Sequence, residues 1–153
     1  MKPFRFRLEK ILGYKRQIED RKKQTLAKRN NELNLEISRL RLLIDRDKSY
    51  RAKYAELFKG KMNITRLRFS RGYLDRLNKE ITVQTEQVNK SREKVNRAKA
   101  ILREAMRDRK KYEKLKERRK LEHYYEAGRA EQKDLDEIGI RPRTGKLTMG
   151  TVP

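Results

Sequence analysis

The sequence predicts an all-α fold, a long antiparallel two-helix coiled-coil hairpin whose second helix is longer than the first. Three observations support this. An apolar residue stands at every seventh position, a spacing typical of a helix supercoiled against another helix, at Leu67, Leu74, Ile81, Val88, Val95 and Leu102. Proline, which breaks helices, occurs only at Pro3, Pro142 and Pro153. A single glycine-containing break near Gly60 divides the span between these prolines into two helices.

The first helix is expected over residues 4–59. Its beginning follows a three-four spacing at Leu8, Ile11, Lys15, Ile18 and Lys22. A second phase then runs through Leu26, Leu33, Leu40 and Tyr54, with Ile37, Ile44 and Phe58 on the companion row. Joining the two phases takes successive steps of four residues. This indicates either a stutter in the heptad pattern or a weakly packed stretch.

The turn between the helices is expected over residues 60–65. Gly60 can supply the left-handed residue that ends a helix, because glycine has no Cβ to clash in that conformation. Asn63 or Thr65 can cap the start of the next helix. Gly72 is an alternative break point, which would leave the segment before it irregular.

The second helix is expected over residues 65–138, which completes a hairpin domain of residues 1–140. Gly139 and Pro142 then favour its end, and residues 141–153 are expected to form a flexible C-terminal tail. The row three positions after the apolar ladder carries Ser70, Leu77, Gln84, Ser91, Ala98 and Ala105. Since most of these side chains are small or polar, the hairpin is expected to be only weakly stable alone.

The register of the hairpin follows from an apex near residue 62. Large side chains on the first helix should then face small or polar ones on the second, in the pairs Tyr54–Ser70, Leu40–Gln84 and Leu26–Ala98. The same register places Phe4 near Lys120, so that the second helix extends beyond the first by roughly 18 residues, about 27 Å. A lone helix is marginally stable in water, so we expect the overhang to bind a partner.

The composition excludes several classes of protein. The net charge is +22, 43% of the residues are charged and 35% are hydrophobic, less than a globular core normally uses. Such a balance is also typical of disorder, but a disordered chain has no reason to keep a seven-residue phase. The absence of cysteine excludes disulfides and thiolate metal sites. No apolar run approaches a membrane span or a secretory signal, so a soluble cytoplasmic protein is expected.

The sequence offers no residues arranged for catalysis, cofactor binding or metal binding. It has one histidine, His123, and no glycine-rich phosphate loop. Acidic and basic residues alternate at helical spacing, which is typical of a solvated, ion-paired face. We therefore expect a structural or surface role for His123 and a protein that is not an enzyme.

Charge is distributed unevenly along the chain. Residues 2–29 contain eleven Lys or Arg against three Asp or Glu, and residues 103–123 contain ten against five. These stretches should meet at the open end of the hairpin, either as a solvated face or as a surface that docks into an acidic cavity. In residues 130–140 the local net charge becomes negative, with four acids and one lysine beside Leu135 and Ile138. That segment resembles a short recognition sequence, or a cap for nearby bases.

Aromatic residues gather near the apex. Tyr54 and Phe58 fit the predicted seam between the helices, whereas Tyr50 and Tyr73 fall off it. Exposed aromatic side chains are common anchors of protein interfaces, so Tyr50 and Tyr73 are either packing residues or interface residues.

Four segments resemble the FliJ family, the stalk proteins of the flagellar protein-export ATPase. They are MKPFRFRLEKILGYKR, LLIDRDKSYRAKY, GYLDRLNKEI and KKYEKLKERRKLEHYYEAGRAEQKDLDEIGI, and the similarity covers roughly residues 4–140. The resemblance implies a central stalk that sits in a hexameric ATPase ring, promotes ring assembly and links the ring to the membrane export gate. It also implies binding to export chaperones and a cytoplasmic location, with peripheral association at the inner face of the cell membrane through these partners.

The resemblance further implies two sets of contact residues. The matching positions for the cytoplasmic domain of the export gate protein are Leu43, Tyr50, Tyr73 and Leu77. Arg46 stands where an aromatic residue would be usual. The basic open end and its acidic neighbour supply the expected contacts with the ATPase ring, namely Arg16, Arg109, Lys110, Arg118, Arg119, Gln132 and Asp136.

Three alternative functions remain open on the sequence. Injectisome stalk proteins of type III secretion are also similar to this chain. A basic helical protein can bind nucleic acid, but no basic block forks from a zipper and no groove-reading motif is present, so no nucleic acid is expected as a partner. The third alternative is binding to an anionic membrane through an N-terminal apolar face formed by Phe4, Phe6, Leu8, Ile11 and Leu12.

Overall fold

The computed structural model describes residues 3–140, and the predicted tail lies outside these described residues. Helix α1 spans Glu9–Glu56 and helix α2 spans Ile64–Ile140, with 48 and 77 residues. The described chain has no strand, and the predicted all-α hairpin with a longer second helix is confirmed. The chain divides into a hairpin unit, residues 13–109, and a terminal unit, residues 1–12 and 110–153, of which residues 3–12 and 110–140 are described.

The apolar ladder of α2 forms one side of the seam in the hairpin unit. Val88 and Val95 are 2% and 4% exposed, and Leu74 is also buried. The companion row is buried as well, since Leu77 is 3% exposed and Ser70 and Ala98 are covered too. Both predicted rows of α2 therefore face the partner helix, including the small and polar members of the second row.

The seam of α1 differs from the prediction at its beginning. Leu12 is fully buried whereas Ile11 is 40% exposed, so the buried row starts one residue later than expected. From there buried or half-buried positions recur at a regular seven-residue spacing in two rows. They are Leu12, Glu19, Leu26, Leu33, Leu40, Asp47 and Tyr54 in one row, and Lys15, Lys22, Arg29, Glu36, Leu43, Tyr50 and Leu57 in the other. The predicted residues Ile18, Ile37 and Ile44 lie beside these rows and are half-buried as well. These rows need no stutter.

Hydrogen bonds between the helices fix an antiparallel register in the hairpin unit. The Tyr50 hydroxyl donates to Ser70 Oγ at 3.3 Å, and Gln84 Nε2 donates to the Glu36 carbonyl at 3.0 Å. Each observed partner lies one helical turn before the residue that the apex count predicted.

The turn is longer than predicted because α1 ends at Glu56. The amides of Leu57, Phe58 and Lys59 donate to carbonyls three residues back, which tightens the chain out of the α-helix. Gly60 then adopts a φ of 121°, where a side chain would be strained. Asn63 caps α2, since its Oδ1 accepts from the Arg66 amide at 3.2 Å. α2 continues through Gly72 without a break.

In the terminal unit, a non-helical N-terminal segment packs on α2. Residues 3–8 are not helical, and α1 starts at Glu9 with its amide bonded to the Phe6 carbonyl at 3.1 Å. The Phe4 ring meets the His123 ring edge-on at a centroid distance of 5.6 Å, one turn from the predicted neighbour Lys120. From residue 128 to residue 139 every side chain of α2 is exposed, as expected for a helix that outruns its partner.

No helix among the described residues is long and apolar enough to cross a membrane.

Candidate protein-binding surfaces

The predicted gate residues of the hairpin unit lie largely inside the seam. The rings of Tyr50 and Tyr73 contact each other at 4.3 Å with a tilt of 45°, and both side chains are half-buried. Packing is therefore the structural role of the two tyrosines that the sequence had placed off the seam. Leu77 is 3% exposed, so its side chain contacts the hairpin interior and offers little surface to a partner.

Leu43, the fourth predicted gate residue, borders a shallow groove of about 410 Å³ with Val83 and Gln84. Val83 is 59% exposed, and Leu35 and Leu42 on α1 are about equally exposed. These three apolar residues were not predicted as surface residues. The seven-residue separation of Leu35 and Leu42, off the seam, is the signal that would have found these two leucines.

Asp47 places a carboxylate in the seam beside these residues. Its Oδ2 accepts from Arg51 Nε at 2.7 Å, and this bond raises the pKa of the Arg51 guanidinium. Arg51 also bridges the helices, since its Nη2 donates to Asn78 Oδ1 at 3.0 Å. The other oxygen of Asp47, Oδ1, is buried and has no hydrogen-bond partner among the described residues. An unsatisfied buried acceptor weakens the seam here.

Glu19, in the first turns of α1, is a buried acid with 4% of its surface exposed. Lys23 Nζ lies 2.8 Å from its Oε1, and Arg109 Nε on α2 donates to its Oε2. The hydrogen bond from Lys23 lowers the pKa of Glu19, and Arg109 adds to that effect against the opposing influence of burial. The expectation that all acids lie on a solvated face is therefore wrong for Glu19.

The predicted ring residues of the hairpin unit have different surroundings. Arg109 holds Glu19, so its guanidinium joins the two helices. Next to this pair, Lys15 Nζ bonds to Asp108 Oδ2 at 3.1 Å, which is a second link between α1 and α2. Arg16 is exposed.

The predicted ring residues of the terminal unit lie on the exposed part of α2. Arg118 and Arg119 share Glu122, with N–O distances of 2.9 Å and 3.3 Å. Gln132 Nε2 donates to Asp136 Oδ1 at 3.2 Å, and Lys110 is exposed. Exposed apolar side chains follow the same stretch, at Leu121, Tyr124, Tyr125, Leu135 and Ile138. Such a mixture of charged and apolar side chains suits a protein partner.

The N-terminal apolar face proposed for membrane binding is largely packed against α2. A groove of about 740 Å³ is lined by residues 3–8 and by Leu115, Arg119, Glu122, His123 and Glu126 of α2. Phe4, Phe6 and Leu8 are half-buried and Leu12 is fully buried, whereas Ile11 is exposed, so little of this face is available to a bilayer. His123 contacts Phe4 in this groove, and its Nδ1 is buried without a hydrogen-bond partner among the described residues.

The apex exposes apolar side chains that the sequence had placed elsewhere. Phe58 was expected in the seam, but Leu57 takes that position and Phe58 is 53% exposed, with its ring edge-on to Tyr54. Phe69 is 70% exposed beside a groove of about 510 Å³. In the described part of the chain, no group of three or more His, Cys, Asp or Glu could hold a metal ion.

The family model for the flagellar FliJ protein matches residues 4–143. The chain belongs to the FliJ family. This confirms the resemblance found in the four sequence segments, and the matched range includes both helices. No curated protein matches the chain.

A solved structure described as a putative YscO homolog, CT670 from Chlamydia trachomatis, has a similar fold. It is 23% identical to this chain, the alignment covers 90% of this chain and 93% of that one, and the TM-score is 0.55. At this identity the likeness shows the fold alone. It supports the two-helix hairpin of this FliJ-family protein.

Proposed function

We propose that this protein is the non-enzymatic central stalk of the flagellar type III protein-export ATPase complex. The observation that supports it most is the FliJ-family match, which runs along both helices. In this proposal the basic ends of the helices enter the hexameric ATPase ring. The hairpin then couples the ring to the cytoplasmic domain of the export gate protein and to export chaperones, at the inner face of the cell membrane.

The terminal unit supports the ring contact. Arg118 and Arg119 are held only by exposed pairs within one helix, which contribute a few tenths of a kcal/mol, so an acidic partner can replace Glu122. The exposed apolar residues around Leu121 and Tyr125 supply area that such a partner would bury. Arg109, in contrast, is occupied by Glu19, so we assign it to holding the helices together inside the ring.

The hairpin unit supports a gate contact centred on the surface around the Tyr50–Tyr73 pair. Leu77 is too buried to touch a partner, whereas Leu43, Leu42 and Val83 present apolar surface nearby. We propose that Leu77 positions this surface and that the tyrosine rings form part of it.

The test is ATP hydrolysis by the cognate export ATPase with and without this protein. Wild type should raise the rate and should be retained by the ATPase in a pull-down at low salt. Arg118→Glu combined with Arg119→Glu should abolish both effects, because the new acidic side chains would be repelled by the acidic cavity of the ring. Lys90→Glu combined with Arg97→Glu makes the same charge change on exposed residues of the hairpin unit and should leave both intact. An unchanged ATPase rate with wild type, together with no retention, would rule the proposal out.

A further inference from the structure

The apex carries four large apolar side chains that pack on little of the described chain. Phe58, Met62, Ile64 and Phe69 are 53%, 65%, 69% and 70% exposed. They come from three backbone segments, namely the turn after α1, the residues before α2 and the first turns of α2. The seam beneath them is already closed by Leu57 and Leu67, which are half-buried. We refer to these four residues as the apex apolar surface.

The apex apolar surface is surrounded by basic residues, with few acidic residues among them. Residues 53–71 contain one acid, Glu56, and six bases, all exposed: Lys53, Lys59, Lys61, Arg66, Arg68 and Arg71. The whole chain has 44 bases and 22 acids, so the apex is about three times richer in bases relative to acids. Within the described residues none of the six is in an ion pair, whereas Arg29, Arg39 and Lys90 each pair with an acid on their own helix. The apex is therefore a concentrated, uncompensated positive surface.

We propose that the apex binds directly to the surface of an anionic lipid bilayer. Phe58, Met62, Ile64 and Phe69 would enter the headgroup region, and the surrounding lysines and arginines would contact lipid phosphates. This combination of aromatic and aliphatic side chains with a basic rim is the chemistry that holds proteins at anionic membrane interfaces. The proposal goes beyond the stalk function, in which membrane association comes through protein partners.

A bilayer fits the geometry of this surface better than a folded acidic partner does. The four side chains come from different segments around a turn and do not make the single stripe that a helix would present to a groove. A fluid headgroup layer adapts to such an irregular set, whereas a protein partner needs a shaped seat for each side chain. An acidic protein partner is thus an alternative that the experiment must separate.

The experiment measures flotation of the full-length chain with vesicles of equal amounts of phosphatidylglycerol and phosphatidylcholine. Pure phosphatidylcholine vesicles are the neutral control. Lys59→Glu combined with Lys61→Glu should weaken binding to the acidic vesicles roughly thirtyfold or more, because each basic residue near the surface contributes strongly. Lys99→Glu combined with Arg103→Glu, exposed on α2, makes the same charge change away from the apex and should alter binding less than about threefold.

The apolar contribution is tested with Phe58→Ser combined with Phe69→Ser. The matched control is Leu35→Ser combined with Leu42→Ser, which removes two equally exposed apolar side chains from α1. Only the phenylalanine variant should lose vesicle binding, by about tenfold or more. Circular dichroism of every variant shows that α1 and α2 are intact.

A fluorescent reporter distinguishes insertion from general attraction. The chain has no tryptophan, so Phe69→Trp gives it a single one. With acidic vesicles its emission should shift to the blue and be quenched by brominated lipids, whereas Leu35→Trp should show neither effect. Equal losses of vesicle binding in the apex and control variants would overturn the proposal. So would vesicle binding without quenching of the Phe69→Trp emission. Either result would favour an acidic protein as the partner of the apex. The ATPase assay does not depend on lipid, so a failure here leaves the stalk proposal standing.

Discussion

At the scale of single residues, Asp47 is the clearest weakness of the seam. It occupies a heptad position, and its Oδ1 is buried without a hydrogen-bond partner among the described residues. Asp47→Leu should raise the free energy of unfolding by about 1–3 kcal/mol, because it removes this unsatisfied acceptor and adds apolar contact. The loss of the Arg51 bond costs little, since that side chain is exposed and also bonds to Asn78.

Urea unfolding followed by circular dichroism measures this change. Asp45→Leu is the matched control, since Asp45 is exposed on the same helix and should leave the midpoint nearly unchanged. A lower midpoint for Asp47→Leu than for wild type would mean that the carboxylate stabilises the seam.

Glu19 stabilises the seam, whereas Asp47 weakens it, because both carboxylate oxygens of Glu19 have cationic partners. The hydrogen bond from Lys23, together with Arg109, holds the pKa of Glu19 below its unfolded value near 4.5. A carboxyl with a lowered folded pKa contributes stability above the unfolded pKa and loses it as the pH falls through the folded pKa. Glu19→Gln should therefore destabilise the hairpin by about 2 kcal/mol at pH 7 and by much less at pH 3.

Denaturation of wild type and Glu19→Gln at the two pH values tests this expectation. Glu86→Gln serves as the control, because Glu86 also has a lowered pKa, through Lys90, but lies in an exposed pair. It should change the midpoint little at either pH. A Glu19→Gln deficit that is the same at pH 3 and pH 7 would contradict the assignment.

At the scale of the helices, the seam positions of α2 could be predicted from the sequence, whereas those at the start of α1 could not. The α2 ladder from Leu67 to Leu102 is apolar at every place, so counting apolar residues found the first row, and the heptad spacing placed the second row three positions later. In α1 the seam positions include Glu19, whose burial depends on Arg109 of the other helix. That information is distant in the sequence, so counting apolar residues selected Ile11 in place of Leu12 and suggested a stutter that the burial pattern does not require.

The seam of α2 gives a prediction about the hairpin itself. Val88 is 2% exposed, so Val88→Asp would place a charge without a partner between the helices. We expect loss of cooperative thermal unfolding or a fall of more than about 3 kcal/mol in unfolding free energy. Val83→Asp, on an exposed position of the same helix, should leave the melting curve nearly unchanged. Two similar curves would mean that the helices do not depend on this seam.

At the scale of the whole molecule, the charge pattern of the sequence found exposed basic residues but did not reveal which predicted contact residues are buried. Charge counting identified Arg118 and Arg119, and the structure places both on exposed helix. Burial separates residues that touch a partner from residues that hold the hairpin, and Leu77 and Arg109 belong to the second group by that measure. Burial depends on the facing helix, so a pattern within one helix does not reveal it. The gate and ring assignments stay predictions.

The net charge of +22 yields a prediction for the chain as a whole. Repulsion among like charges opposes folding at low ionic strength, while many of the ion pairs in the described residues are exposed pairs within one helix that contribute little. Repulsion should therefore dominate. Since the screening length falls from about 30 Å at 0.01 M salt to about 8 Å at 0.15 M, added salt should relieve it. Helix content and the melting temperature should both rise over that range.

Circular dichroism in sodium fluoride at constant pH measures the effect, because this salt absorbs little in the far ultraviolet. Glu19→Gln provides the internal control, since it removes one of the buried ion pairs and should keep the same upward slope with salt. If helix content instead falls steadily with added salt in wild type, the ion pairs outweigh the repulsion. Pairs between the helices, such as Lys15 with Asp108, would then stabilise the hairpin more than its apolar seam does.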